Sequence, residues 1–300
     1  MPELYGASST NAKPTRTRRT RQKIAELCDA IDAIVRTDAP MTVRQVFYRL
    51  VSAGLIDKTE RQYNKVVVRL LTRMRLEGRL PWAWIADGTR WMRKTARYGS
   101  VEEALEATSR HYRRDYWRDL DDYVEVWLEK DALAGVLFGV TDEWGVPLMV
   151  TRGFASLSYI HNAAEMIERV GKPTHIYSFG DYDPSGMEID RNLERRLREF
   201  APYSEIHFAR VALKREQIEE YALPTRPTKR RANHGLGLHD GDSVEVDAIP
   251  PATLLGLVRG CIERHVDPAR VAVLEAAEAS ERALLGGLPA MLELASIPTS

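Results

Sequence analysis

Between residues 123 and 213 short apolar runs alternate with amphipathic segments, and few folds accommodate that order. YVEVWL (123–128) precedes a helical pattern from Ala132 to about Glu143, and VPLMV (146–150) precedes one at Leu157–Val170. THIYSFG (174–180) precedes a third at Ser185–Phe200, and EIHFARVAL (205–213) follows. A βαβαβαβ order with short connections predicts an α/β fold with a mostly parallel sheet, covered by helices on both faces. Ligands of such sheets bind outside the carboxyl ends of the strands. At 300 residues the chain is long enough for a second domain.

That second domain is expected in front. The formal net charge is zero, but it is split: residues 1–97 hold 20 basic against 9 acidic residues, a net of +11. Residues 98–300 hold 23 against 34, a net of −11. Such asymmetry suits a polyanion-binding front and an acidic back. Residues 1–20 end in KPTRTRRT and read as a disordered basic arm. Helices follow at about Arg21–Val35, at Val43–Ala53 after a Thr42 cap, and at about Thr59–Glu77. RLPWAWIADGTRWM reads as a hairpin turning at Asp87-Gly88. Three helices and a hairpin make the winged helix-turn-helix pattern over 21–97. Arg61, Lys65, Arg69 and Arg73 on its third helix are the expected contacts to double-stranded DNA. Trp82, Trp84 and Trp91 read as core and wing packing.

The acidic residues fall where the sheet needs them. Glu129 directly follows the first strand, and Asp181 and Asp183 follow the third in SFGDYDPSG. Positions i and i+2 of an extended segment point the same way, so the two aspartates can share a site. Three carboxylates without His or Cys suit Mg²⁺, or Mn²⁺. On the plainer reading Asp183 and Ser185 only cap a helix and Glu129 is a solvated strand end. Tyr48 is the second point of interest. With Val43 at zero and about 100° per residue, the buried stripe of its helix spans roughly −60° to +80° and Tyr48 falls at about 140°, next to Arg44. An exposed Tyr beside an Arg suits contact with a phosphate or attack on one. An interfacial tyrosine packed on the wing is the alternative.

TVRQVFY (42–48) resembles the active-site motif of the type IIB topoisomerase (topoisomerase VI) A subunit and of its relative, the meiotic double-strand-break transesterase. WLEKDAL (127–133) and FGDYDPSGMEI (179–189) resemble the Glu and Asp-x-Asp motifs of the Toprim domain in that family. TRGFASLS (151–158) resembles the Gly-aromatic loop between them. The order of motifs matches over about residues 20–210. The resemblance implies a winged-helix domain at 21–97 and a Toprim domain at 98–300, with its core at about 120–213 and a C-terminal helical extension. It implies Tyr48 as nucleophile, Arg44 assisting, and Mg²⁺ held by Glu129, Asp181 and Asp183. The product would be a 5′-phosphotyrosyl link made by a homodimer, and strand passage would need a separate ATPase B subunit. A Toprim hydrolase using water, with Tyr48 only a contact, and a winged-helix DNA-binding protein without catalysis are the alternatives.

The rest of the chain is less specific. No stretch approaches the roughly 18–20 apolar residues of a membrane helix, and no apolar segment opens the N-terminus. Cys28 and Cys261 lie in apolar helical contexts, so a cytoplasmic, nucleoid-associated protein is expected. Residues 224–243, with Arg226, Lys229, Arg230, Arg231, His234 and His239, read as a loop, either a plain linker or a second phosphate contact. Glu245 and Asp247 read as structural or dimer-facing.

Overall fold

The computed structural model describes residues 21–86, 95–227 and 242–295. The basic arm, Asp87-Gly88, Trp91, His234 and His239 lie outside the described residues. So do Lys229, Arg230 and Arg231.

Helices α1 (Arg21–Asp38) and α2 (Val43–Ser52) meet at Ala39-Pro40. Thr42 caps α2 reciprocally: its Oγ1 accepts from Gln45 N at 3.1 Å, while Gln45 Oε1 accepts from Thr42 N at 2.8 Å. The third helix is composite. A turn α3 (Glu60–Gln62) leads through a π-helical segment, Tyr63–Val67, into α4 (Val68–Leu76). The apolar stripe still points inward, with Val67, Leu71 and Met74 buried. The residues expected to begin a hairpin instead form a 3₁₀ turn, Trp82–Trp84, and Ile85 pairs in parallel with Met41. Two further helices, α5 (Val101–His111) and α6 (Tyr116–Asp119), precede the sheet.

The sheet is all parallel, in the order β2-β1-β3-β4. Its strands are β1 (Tyr123–Leu128), β2 (Leu148–Val150), β3 (Thr174–Phe179) and β4 (Ile206–Ala212). Every residue of β1 is buried, as a central strand covered on both faces requires. One face packs Trp127, Ile176 and Ile206 under α8 (Leu157–Val170) and α9 (Pro184–Phe200). The other packs Val124, Val126 and Leu128 under α7 (Ala134–Glu143) and α11 (Pro251–Glu263). Between β4 and α11 the chain forms α10 (Arg215–Glu220), a short β5–β6 pair (Arg226–Pro227 with Asp242–Ser243) and a 3₁₀ turn, Val246–Ala248. The last helix, α12 (Pro268–Ala295), lies along α5, where Tyr112 Oη donates to Glu281 Oε2 at 2.7 Å. Cys28 and Cys261 are both buried. No helix among the described residues is long and apolar enough to cross a membrane.

The buried cluster on the α7/α11 face continues without a break into the N-terminal helices, through Leu27, Ile31, Val46, Phe47 and Tyr48. The contact between α2 and the Val246–Ala248 turn is the joint.

The sheet core also contains an acid. Glu125 is 1% exposed, on the face of Trp127, and accepts from Trp127 Nε1 at 2.7 Å. Burial pushes its pKa up to about 7 against that hydrogen bond. A carboxyl whose folded pKa exceeds its unfolded one stabilises fully below the unfolded pKa, and that contribution is lost as pH rises through about 7. Glu125→Gln keeps an acceptor for the indole and removes the ionisation. The variant is expected to gain on wild type by up to about 3 kcal/mol in urea unfolding at pH 8, with the gain gone at pH 4.

Candidate functional site

The carboxyl edge of the sheet gathers the residues expected there. Glu129 leaves β1, the TRGFASLS loop leaves β2, and Asp181 and Asp183 leave β3. Glu129 Oε2 accepts from Asp181 N at 3.0 Å. Gly180 and Gly186 permit that approach: a Cβ on Gly180 would stand 2.8 Å from Glu129 Oε2, and one on Gly186 would stand 2.3 Å from Asp181 O. Arg210 of β4 braces the same turn, donating to Gly180 O and Asp181 O while pairing with Asp190. Asp190 in turn accepts from Ser178 Oγ at 2.6 Å. In the loop after β2, Arg152 has φ 56°, its guanidinium pairs with Asp131 at 3.0 Å, and Phe154 is exposed.

Glu129 and Asp181 are thus held together, and Asp183 is turned partly away. Asp183 Oδ1 accepts from Gly186 N at 2.8 Å and caps α9, with Pro184 in its first turn. It still lies close enough to raise the proton affinity of Glu129. The Glu129 carboxyl is pushed up to about 7, first by burial, then by Asp181, with a smaller contribution from Asp183. Burial also raises Asp181.

The centre of the site is Lys130, which its position in the motif did not single out. Its Nζ lies 3.2 Å from Asp181 Oδ2, 2.8 Å from Glu245 Oε2 and 2.9 Å from Asp247 Oδ2. Asp181 Oδ1 accepts from Val246 N at 2.9 Å. Glu245 continues to the N-terminal helices, pairing with Arg44 Nε at 2.8 Å. Arg44 also lies over the Tyr63 ring, 5.6 Å from its centroid. Glu245 and Asp247, read from sequence as structural or dimer-facing, therefore bind the acidic loop to α2. An acidic pair spaced i, i+2 just before a proline was the available signal.

Tyr48 departs from the sequence expectation. It is 2% exposed and belongs to the core. Its angle on α2 is off the helix's own stripe, as expected, but the segment around Glu245 arrives from the far end of the chain and covers that face. The phenol hydrogen-bonds Glu245, and Lys58 sits 5.2 Å over its ring. Burial first, then the Glu245 charge, raises the phenol pKa, outweighing the nearby Arg44. Arg44, Phe47, Tyr48, Lys58 and Thr59 line a small pocket of about 30 Å³ at this point. Arg61, Lys65, Arg69 and Arg73 are all exposed on the composite third helix.

A second polar group lies at the opposite, amino edge of the sheet. Asp122, His175 and His265 present ligand atoms within 4.8 Å of one another, a group able to hold a divalent metal ion. The chain matches no protein-family model, and no curated protein matches it in sequence.

Removing the Lys130 charge leaves three buried or half-buried carboxylates facing one another. Lys130→Met is expected to cost about 3 kcal/mol or more in urea unfolding. Pairing it with Asp247→Asn should recover part of that loss.

Proposed function

We propose that this chain is a divalent-metal-dependent DNA-cleaving transesterase, with Tyr48 as the attacking group and Arg44 as its phosphate-holding partner. The observation that carries the reading is the contact of Tyr48 and Arg44 with the same charged network that holds Asp181 beside Glu129. The two sets of residues that resemble the topoisomerase VI A-subunit motifs are 42–48 and 127–189 in sequence, yet Glu245 and Lys130 join them directly.

Glu129, Asp181 and Asp183 are oxygen donors of the kind a hard cation takes, although in this closed arrangement the acids and histidines that meet within 4.8 Å among the described residues are Asp122, His175 and His265, not these three. Glu129 is a half-buried carboxylate whose proton affinity is raised first by burial and then by Asp181, with a smaller contribution from Asp183. Glu129, Asp181 and Asp183 would hold Mg²⁺ or Mn²⁺. When bound, the ion would stabilise charge on the phosphate and on the leaving 3′-oxygen. Arg61, Lys65, Arg69 and Arg73 would hold the phosphates of double-stranded DNA, and Arg44 would orient the scissile one. Tyr48 reaches a phosphate only after its phenol leaves Glu245, so DNA binding is coupled to opening of the α2–Glu245 contact. As the phenol leaves, its proton passes to Glu245; the Tyr48 oxygen then bonds to phosphorus as the bond to the 3′-oxygen breaks, and that oxygen takes a proton from water. Two such chains, one per strand, make the double-strand break, and strand passage would draw on a separate ATPase subunit. The resulting protein is a winged-helix and Toprim enzyme acting on nucleoid DNA.

The burial of Tyr48 favours one other reading, a hydrolase in which water attacks and Tyr48 only fastens α2 to the loop. The two readings separate on supercoiled DNA with Mg²⁺, stopped with denaturant and run with and without protease. Protein-linked ends that disappear in Tyr48→Phe are the expected result, and free ends that persist in Tyr48→Phe overturn it. Asp183→Asn keeps an N-cap while removing the charge. It should unfold within about 0.5 kcal/mol of wild type and lose cleavage under the same conditions.

A further inference from the structure

We propose that Asp122, His175 and His265 form a transition-metal site of the zinc class, separate from the acids at the carboxyl edge of the sheet. Asp122 enters β1, His175 is the second residue of β3, and His265 follows α11. Their convergence comes from the register: β1 and β3 pair Tyr123 with Thr174 and Val124 with His175, and α11 ends over the same edge.

The donor atoms have the right identity and spacing. His265 Nδ1 lies 2.7 Å from Asp122 Oδ2, and His175 Nε2 lies 3.6 Å from the same oxygen. The shorter contact is a hydrogen bond in this structure; bonds of about 2.1 Å in a tetrahedron put neighbouring donors roughly 3.4 Å apart, so an ion would replace the proton of that bond and move the pair slightly apart. Two imidazoles with one carboxylate select Zn²⁺ and its first-row neighbours over Mg²⁺. The surroundings supply the outer support that ligating histidines use. With Nδ1 on the metal, His265 Nε2 carries the proton and donates to Tyr177 Oη at 2.7 Å. His175 is fixed by stacking on His207, with ring centroids 4.5 Å apart and planes 15° apart. A cavity of about 350 Å³, lined by Leu120, Asp122, Arg264, His265, Asp267 and Arg270, opens beside the group and leaves room for a fourth ligand. The site would tie the end of α11 to the sheet.

The test uses the whole chain stripped with a chelator and titrated with Zn²⁺ alone, by calorimetry and by thermal unfolding. The expected result is about one Zn²⁺ per chain and a rise in Tm that Mg²⁺ does not reproduce. His175→Gln and His265→Gln should each weaken binding by more than about 100-fold, and Tyr177→Phe by roughly 10-fold. His161→Gln, on the exposed side of α8, and Glu129→Gln should bind as wild type does. Absence of saturable binding overturns the proposal, as does binding that survives both histidine substitutions or disappears with Glu129→Gln. X-ray absorption of the zinc-loaded wild type needs no variant: two imidazoles in the ligand shell are expected, and an all-oxygen shell overturns the site. None of these readouts involves DNA, so the outcome stands apart from the cleavage reading.

Discussion

The Lys130 ammonium and the carboxylates around it hold the rest of the molecule in place. Asp181, Glu245 and Asp247 surround one nitrogen at 2.8–3.2 Å, and the lysine side chain is only 20% exposed. Three acids that close would repel one another in a medium of lowered dielectric, so the cation is a condition of their meeting. Through Glu245 the network reaches Arg44, and through Arg44 and Tyr48 it fastens the N-terminal helices to the sheet. The continuous apolar cluster beneath supplies the burial energy, and the charged network sets which residues face each other above it.

The same interaction gives the proposed chemistry its form. A buried phenol bonded to a carboxylate is a poor nucleophile, because both burial and the neighbouring charge favour the protonated state. A tyrosine enzyme built this way is inactive until something competes for Glu245 and Arg44. Backbone phosphates are the natural competitors for Arg44, and the exposed row on the third helix would bring them close. On the proposed reading, the closed contact would keep Tyr48 away from anything other than bound DNA.

The two ends of the parallel sheet carry different donor chemistry. Hard carboxylates crowd the carboxyl edge, braced by Arg210 and by glycines that allow close packing of the turn. Imidazoles and one aspartate gather at the amino edge, where the β3–β4 pairing sets His175 against His207. A chain with both could hold two unlike ions about one sheet length apart, each selected by its donors rather than by affinity alone.

Much of this was legible in the sequence. The period of the apolar residues determined the parallel sheet and the flanking helices, and Leu157–Val170 appears with the expected bounds. It also placed Glu129, Asp181 and Asp183 at one edge, because strand ends are local facts. The composite third helix kept its inward stripe and its outward arginines for the same reason. Tertiary structure alone decided the surroundings of those residues. A helical wheel reports one helix's own faces, so it put Tyr48 off the stripe and had no means of showing that Glu245, nearly two hundred residues away, covers it. Lys130 and Asp247 acquired their roles by long-range pairing, and Asp122, His175 and His265 lie far apart in the chain, with no motif spacing to join them. Local period fixes which way a side chain points, whereas the fold decides what it meets there.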